Sequence, residues 1–165
     1  RHLPVVLGHL EAELAERAEE LRAGGTVLAG VEKVLERLHR REDVVQSVLT
    51  GNTRANAALK LGVFGLDRWV DLEIGAFGSD DADRRRLVPI AVRRAEQKTG
   101  LTFTPDQVWV IGDTPNDLAC ATAAGARCVL VGTGHVPIEA LRDIGADAVL
   151  EDLTDVDALV ELLAG

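Results

Sequence analysis

The chain has 165 residues, which is enough for one domain of ordinary size. Its composition, 47% apolar and 27% charged, is typical of a globular protein and excludes a disordered tail, a collagen-like fibre and a disulfide mini-scaffold. The net charge of −9 argues against general nucleic-acid binding, because an acidic surface repels phosphate backbones, but it is compatible with one local cationic pocket for a small anion.

Other features of the composition predict a cytoplasmic protein that does not act at a membrane. No apolar run approaches the roughly 18–20 residues that span a bilayer, and the first residues lead into a charged amphipathic stretch rather than a secretory signal. Cys120 and Cys128 match no metal or redox spacing, which favours a reducing compartment. The sequence contains no Met, so we expect that it represents part of a longer or processed chain.

In chain order, two helices are predicted before any strand. Apolar residues at helical spacing indicate helices over 3–22 and 27–41. The β-branched run 43–50 is typical of a buried parallel strand, and a short helix over 53–61 follows it. The two leading helices do not fit a strand–helix alternation, which favours a second module at the N-terminus.

The rest of the chain alternates strands with helices. Strands are predicted at 72–77, 107–111, 127–131 and 148–150, and helices at 80–98, 138–144, 156–163 and in a segment that ends at Ala124. This order predicts an α/β fold, a doubly wound parallel sheet covered on both faces. Ligands bind such sheets beyond the carboxyl ends of the strands, so the loops after Thr50, Phe77, Ile111 and Val131 are the candidate site.

The strongest chemical signal is IGDTPND at 111–117. Asp113 and Asp117 follow a predicted strand four residues apart, which places both carboxylates on one side of a helix start. Two neighbouring carboxylates repel each other, and Mg²⁺ resolves that conflict because it accepts one or two carboxylates, waters and a substrate phosphate. The alternative is that Asp113 is a turn or cap residue and Asp117 a solvated helix acid.

A second signal is LTGN at 49–52. The Thr50 hydroxyl and the backbone N–H groups of Gly51 and Asn52 stand where a strand ends and a helix begins, which is an arrangement suited to binding a phosphate. The alternative interpretation is that Thr50 or Asn52 only caps the helix over 53–61.

The third signal is a run of arginines at 84–86. Three cations at a helix start oppose the helix dipole, so acidic loops or a bound phosphate should compensate them. We expect Arg84 to face the site, with Arg86 as the second choice, and the others to be solvated.

These three motifs, in this order, resemble the second, third and fourth motifs of the haloacid dehalogenase-like phosphohydrolases. The segment GAFGSDDADRRRLVPIA at 75–91 also resembles a phosphoglycolate-phosphatase-like branch, and the likeness extends over residues 28–160. The resemblance implies a Mg²⁺-dependent hydrolase of small phosphorylated metabolites that works through an aspartyl-phosphate intermediate.

The resemblance also implies roles for individual residues. Asp113 would ligate the metal, and Asp117 would support it directly or through water. Thr50, Gly51 and Asn52 would bind the phosphoryl oxygens, and Arg84 would stand where the family has a lysine or, less often, an arginine, neutralising charge on the phosphoryl group. The catalytic set implied is Thr50, Arg84 and Asp113.

One family motif is absent. No Asp-x-Asp-x-Thr follows a strand before Thr50, so the nucleophile is missing from this sequence. We therefore expect residues 1–25 to be the end of a helical cap and residues 26–165 to be an α/β core that lacks its central first strand. A missing N-terminal segment or a partner chain would complete the sheet, unless the neighbouring strands pair directly. Other readings are a catalytically inactive binding or regulatory domain of the same family and a receiver-like phosphate-handling module.

Overall fold

Helices and short parallel strands alternate through the part of the chain that the computed structural model describes, residues 18–164. The helices are α1 (Ala18–Gly24), α2 (Val31–His39), α3 (Arg54–Val63), α4 (Leu87–Thr99), α5 (Pro115–Ala124), α6 (Ile138–Arg142) and α7 (Val156–Ala164). The strands are β1 (Leu49–Thr50), β2 (Ala76–Phe77), β3 (Trp109–Gly112), β4 (Arg127–Val131) and β5 (Ala148–Leu150). Short 3₁₀ turns lie at Asp67–Trp69, Arg84–Arg86 and Pro105–Gln107.

All observed strand pairs are parallel, which confirms the predicted fold class. In the first sheet β1 pairs with β2, with Leu49 opposite Ala76. In the second, β3, β4 and β5 lie side by side in that order. Because parallel neighbours need a crossover connection, a helix separates each strand from the next along the chain, and the loops at the strands' carboxyl ends share one edge.

Within residues 18–164, β1 and β3 do not pair with each other. The Arg127 N–H donates to the carbonyl of Val108, so alternate residues of β3 point toward β4 and the backbone groups of Trp109 and Ile111 point away from it. By the same alternation, the backbone groups of Leu49 point away from β2, since Ala76 N–H donates to Val48. Direct pairing of the two strands, one of the sequence-based alternatives, is therefore wrong.

The two sheets nevertheless share a hydrophobic layer. Helix α4 contacts β1 and β2, α5 contacts β3 and β4, and the two helices contact each other. Leu49 packs against the cluster that contains Val110 and Leu130. The unpaired edges of β1 and β3 thus both lie under this pair of helices.

The second sheet is covered on both faces, as the strand pattern predicts. Val110, Cys128 and Leu130 face α4, α5 and α6. Val129, on the opposite face, packs with α2 and α7. Side chains alternate between faces along a strand, which is why one five-residue strand contributes to both layers.

Several elements are shorter than the sequence predicts. The strand over 43–50 is reduced to Leu49–Thr50. In the segment before it, side-chain contacts with other segments stand where regular strand pairing was predicted: Gln46 Nε2 donates to the carbonyls of Leu35 and Trp69, and Ser47 Oγ donates to that of Asp71. The strand over 72–77 is likewise reduced to Ala76–Phe77.

The predicted helix over 80–98 was wrong at its start. Helix α4 begins at Leu87, because Asp81 and Asp83 accept hydrogen bonds from the backbone N–H groups of Asp83 and Arg85 and hold a turn instead. The predicted helix over 27–41 begins at Val31, after Gly30 in the left-handed region (φ 86°). Of the predicted helix over 3–22, residues 3–17 lie outside the described part, and α1 covers the end.

None of the helices described between residues 18 and 164 combines the length and apolar character that crossing a bilayer requires.

A substitution at Leu130 tests the packing of the hydrophobic layer between the second sheet and helices α4, α5 and α6. Its side chain is fully buried, so Leu130→Ala should lower the free energy of unfolding by about 2–5 kcal/mol in urea titrations, because the cavity is lined by neighbours that cannot collapse into it. Leu101→Ala is the control, since Leu101 is 58% exposed and should leave stability nearly unchanged. Equal losses for both variants would contradict this packing.

Candidate functional site

The loops after β1, β2 and β3 meet at one edge of the two sheets, and Arg84 joins them. Arg84 Nη2 lies 3.4 Å from Asp117 Oδ1, which connects the loop after β2 with the loop after β3. A Cβ atom on Gly51 would lie 3.7 Å from Arg84 Cδ, so the arginine side chain also contacts the loop after β1. Sequence-predicted residues from three separate motifs are therefore brought together.

The loop after β1 is closed on itself by Thr50. Thr50 Oγ1 accepts hydrogen bonds from Asn52 N (3.1 Å) and Asn52 Nδ2 (3.2 Å). The N-cap of α3 is Thr53, whose hydroxyl accepts from Asn56 N, so the alternative in which Thr50 or Asn52 caps that helix is wrong. The LTGN residues are left available for another role, with Gly51 and Asn52 exposed to solvent.

Gly78 brings the second loop against the first. Its N–H donates to the Asn52 carbonyl at 2.8 Å, and a Cβ at this position would lie 2.0 Å from the Gly51 carbonyl oxygen. Only glycine permits this backbone approach. Sequence reasoning did not single out Gly78, because a close approach between two loops leaves no local pattern.

Asp117 organises the loop after β3. Its Oδ2 accepts hydrogen bonds from Asp113 N (3.1 Å), Thr114 N (3.0 Å) and Thr114 Oγ1 (2.9 Å), and Thr114 and Asp117 form a capping box at the start of α5. The residue is only 9% exposed, so the alternative of a solvated helix acid is wrong. Its second oxygen faces Arg84.

Gly112 provides the space for this carboxylate. A Cβ on Gly112 would lie 2.2 Å from Asp117 Cγ, a distance at which two atoms overlap. The sequence predicts that Gly112 makes a tight exit from the strand, and the structure shows that the nearest group is the Asp117 side chain.

The Asp113 carboxylate is half-buried, and no hydrogen bond or ion pair to it occurs among residues 18–164. It lies against Gly134 in the loop after β4, where a Cβ would be 2.3 Å from Asp113 Oδ2. A partly buried carboxylate is stabilised by a cation or by donors. With Asp117 beside it, this donor set suits a hard divalent ion that keeps several waters. In the described part of the chain, no cluster of three or more His, Cys, Asp or Glu side chains supplies a complete ligand set.

The three consecutive arginines separate into two groups. Arg84 points inward, and its Nε is buried without a hydrogen-bond partner within the described residues. Arg85 forms a bidentate pair with Asp83 at 2.9 Å, and Arg86 Nη1 lies 3.7 Å from Asp81. Acidic residues of the preceding turn therefore compensate the two outer arginines, and the inner one retains an unsatisfied donor.

The chain matches several known proteins. A family model described as HAD-hydrolase-like matches residues 84–156, which include Arg84, Asp113 and Asp117. A protein described as a pyrophosphatase (PpaX) from Caldanaerobacter subterraneus is 30% identical over 123 residues, covering 74% of this chain and 53% of that protein. Phosphoglycolate phosphatase from Rhodospirillum rubrum is 29% identical over 143 residues, covering 87% and 56%. The chain spans about half the length of the curated relatives it matches.

Two solved structures share the fold. A conserved haloacid dehalogenase-like protein of unknown function from Agrobacterium tumefaciens superposes with a TM-score of 0.66 at 21% identity, covering 98% of this chain and 70% of that one. A HAD family hydrolase from Deinococcus radiodurans, with bound phosphate and sodium, superposes with a TM-score of 0.65 at 24% identity, covering 84% and 61%.

Gly112→Ala tests the arrangement around Asp117. The added methyl group overlaps the Asp117 carboxylate, so we expect the free energy of unfolding to fall by about 1–3 kcal/mol in urea titrations and the amide resonances of Asp113 and Thr114 to shift. Gly24→Ala, at a position with no atom within 4 Å of the new Cβ, is the control and should leave stability equal or higher. A Gly112→Ala variant as stable as the parent protein would contradict the packing of Asp117.

Proposed function

The chain belongs to the haloacid dehalogenase-like superfamily, and we propose that the protein is a Mg²⁺-dependent hydrolase of small phosphate monoesters. The observation that carries this proposal is the buried, unpartnered Nε of Arg84 beside Gly51, together with the Asp113 carboxylate in the neighbouring loop, which has no hydrogen-bond partner in the described chain. The unsatisfied donor is suited to a phosphate oxygen, and the unsatisfied carboxylate is suited to a metal ion.

The phosphoryl group would bind between the first and second loops. The Thr50 hydroxyl and the Gly51 N–H would donate to its oxygens, as would Arg84 Nε. The Asn52 N–H would do so in place of its hydrogen bond to Thr50 Oγ1. This arrangement concentrates donors where negative charge is spread in the transition state of phosphoryl transfer, and such positioning and charge stabilisation dominate this chemistry.

Asp113 would hold the Mg²⁺ ion, with Asp117 contributing through Oδ1 or through a bound water. Asp117 Oδ2 already accepts three hydrogen bonds, so its main action is to orient the Asp113–Thr114 backbone. When bound, Mg²⁺ would supply charge neutralisation for the phosphoryl group.

The nucleophile in this proposal is an aspartate on a further strand that pairs with the unpaired edges of β1 and β3. The strand would come from an upstream segment or from a partner chain. Its carboxylate oxygen forms a bond to phosphorus as the bond between phosphorus and the ester oxygen breaks, and the leaving alcohol takes up a proton. Water then attacks the aspartyl-phosphate, which restores the carboxylate and releases phosphate.

The substrate class proposed is a small phosphorylated metabolite. The matched relatives are named phosphoglycolate phosphatase and pyrophosphatase, and these names point to small, anionic phosphate compounds. Lys or Arg side chains around such a site favour anionic compounds, and Arg84 is placed to do so. We also propose that the protein acts in the cytoplasm.

Asp113→Asn tests the proposed metal role. The amide is a weaker ligand for a hard cation than the carboxylate, so in a protein with a complete sheet turnover should fall by about 100-fold or more and Mg²⁺ affinity should fall with it. Asp143→Asn, at an exposed position away from the site, removes the same charge and should change neither. Steady-state kinetics and calorimetric titration with Mg²⁺ measure the two effects, and an Asp113→Asn variant with normal values of both would remove Asp113 from the site.

The chain over residues 1–165 tests the proposed nucleophile. Assayed with Mg²⁺ and p-nitrophenyl phosphate it should show no turnover, because no aspartate among residues 18–164 lies on a strand between β1 and β3. Hydrogen exchange provides a second measurement. The amides of Trp109 and Ile111 should exchange faster than the amide of buried Val129, and their exchange should become slower when a longer chain supplies the strand.

Turnover above background by the chain alone would contradict the proposed nucleophile. Phosphate and Mg²⁺ binding without turnover in the longer chain would instead favour an inactive binding or regulatory domain of the same superfamily.

A further inference from the structure

We propose that Asp80 and Arg94 are positioning residues that set the place of Arg84 in the site, an inference that rests on the proposed phosphate-binding role of Arg84. Neither residue contacts the residues assigned to phosphate or metal. They join the loop between β2 and α4 to the middle of α4, and this loop carries Arg84.

The contact between the two side chains is bidentate. Arg94 Nη1 lies 2.8 Å from Asp80 Oδ2, and Arg94 Nη2 lies 2.7 Å from Asp80 Oδ1. Arg94 Nη1 also donates to the Gly75 carbonyl at 2.5 Å, immediately before β2. One guanidinium on the second turn of α4 therefore binds both sides of β2, and the planar fork of arginine matches the carboxylate geometry in a way that lysine does not.

Asp80 is also bound to the end of β2. Its Oδ2 accepts a hydrogen bond from Phe77 N at 2.9 Å, and its own N–H donates to the Phe77 carbonyl at 2.8 Å. The hydrogen bonds to Arg94 hold the pKa of Asp80 below its ordinary value, so the pair is ionised throughout the neutral range. The beginning of the loop is thereby fixed relative to strand and helix together.

Arg84 depends on this loop because its own contacts hold it weakly. The one hydrogen bond of its side chain among residues 18–164 is the 3.4 Å contact with Asp117, and its Nε has no partner. By contrast, the remainder of the turn is held locally, since Asp83 caps Arg85 N and Arg86 N donates to the Asp83 carbonyl. The turn itself contacts α5 and α4, and the Asp80–Arg94 pair fixes the residues that lead into it. A displacement of about 1 Å in a positioning element can cost a factor of about 100 in function.

A double-mutant cycle tests the inference, with inorganic phosphate as the probe. In the intact protein, Arg94→Ala should raise the dissociation constant for phosphate about tenfold, and Arg84→Ala should raise it at least as much. The double variant should be no weaker than Arg84→Ala alone, because Arg94 acts only through Arg84. Arg93→Ala, which removes the same charge from the neighbouring exposed position of α4, is the matched control and should leave phosphate binding near that of the parent protein.

A second measurement does not depend on phosphate. The ¹⁵N relaxation of Arg84 Nε should report a more mobile side chain in Arg94→Ala and in Asp80→Asn, with Arg94→Lys giving an intermediate value because it keeps the charge and loses the fork. Should Arg94→Ala fail to fold, Arg94→Lys and Asp80→Asn carry the same test.

The outcomes separate the two proposals. Two results would overturn the positioning role. One is unchanged relaxation of Arg84 Nε in these variants. The other is a double variant whose loss of phosphate affinity equals the product of the two single losses. Equal phosphate affinity of the parent protein and Arg84→Ala would overturn the proposed function, while a changed Nε relaxation would still support the link between Arg94 and Arg84.

Discussion

The buried carboxylate of Asp117 is the interaction on which the site depends. One oxygen collects the backbone N–H groups of Asp113 and Thr114 and the Thr114 hydroxyl, and the other faces Arg84. A buried carboxylate is tolerated only when hydrogen-bond donors surround it. Here the donors belong to the loop after β3, so binding the carboxylate also fixes the conformation of that loop. Gly112 is required beside it because any side chain would occupy the same space.

The unpaired edges of β1 and β3 are the second constraint. Two parallel sheets lie under the same helices, and Leu49 reaches the cluster that contains Val110, yet the strands do not exchange hydrogen bonds. Unpaired N–H and C=O groups on an apolar strand favour pairing with another strand. The site and the edges lie together, so a strand that completed the sheet would end among Thr50, Arg84 and Asp113. Strand pairing, and not only the loop conformations, would therefore position the proposed nucleophile.

Charge is distributed unevenly between the site and its surroundings. The chain carries a net charge of −9, but the loop after β2 concentrates arginines and aspartates at 80–86. Asp81 and Asp83 compensate Arg86 and Arg85, and Asp80 pairs with Arg94. Arg84 differs from these because its long contact with Asp117 leaves Nε unsatisfied. Because the Arg84 side chain forms only this long contact, it can bind an anion without breaking a strong ion pair.

Much of this protein follows from its sequence. The alternation of apolar runs and amphipathic segments determined the α/β class, and the limits of β4 and β5 agree with the predicted strands because apolar residues there run between clear turn signals. The order of LTGN, the arginine run and GDTPND predicted that these segments lie at one carboxyl edge, and the structure brings Arg84 against Asp117 and Gly51 there. Local patterns carry this information because strand and helix periodicity are properties of neighbouring residues.

Only the tertiary structure decided the rest. The shortening of β1 and the division of the strands into two sheets depend on contacts between distant segments, which leave no periodic signal. The late start of α4 at Leu87 follows instead from local hydrogen bonds to the side chains of Asp81 and Asp83, which helical periodicity does not reveal. The same is true of Asp80 with Arg94, fourteen residues apart, and of Gly78 against Gly51. Sequence spacing determines which residues share a face of one element, but contact between elements depends on how their faces pack.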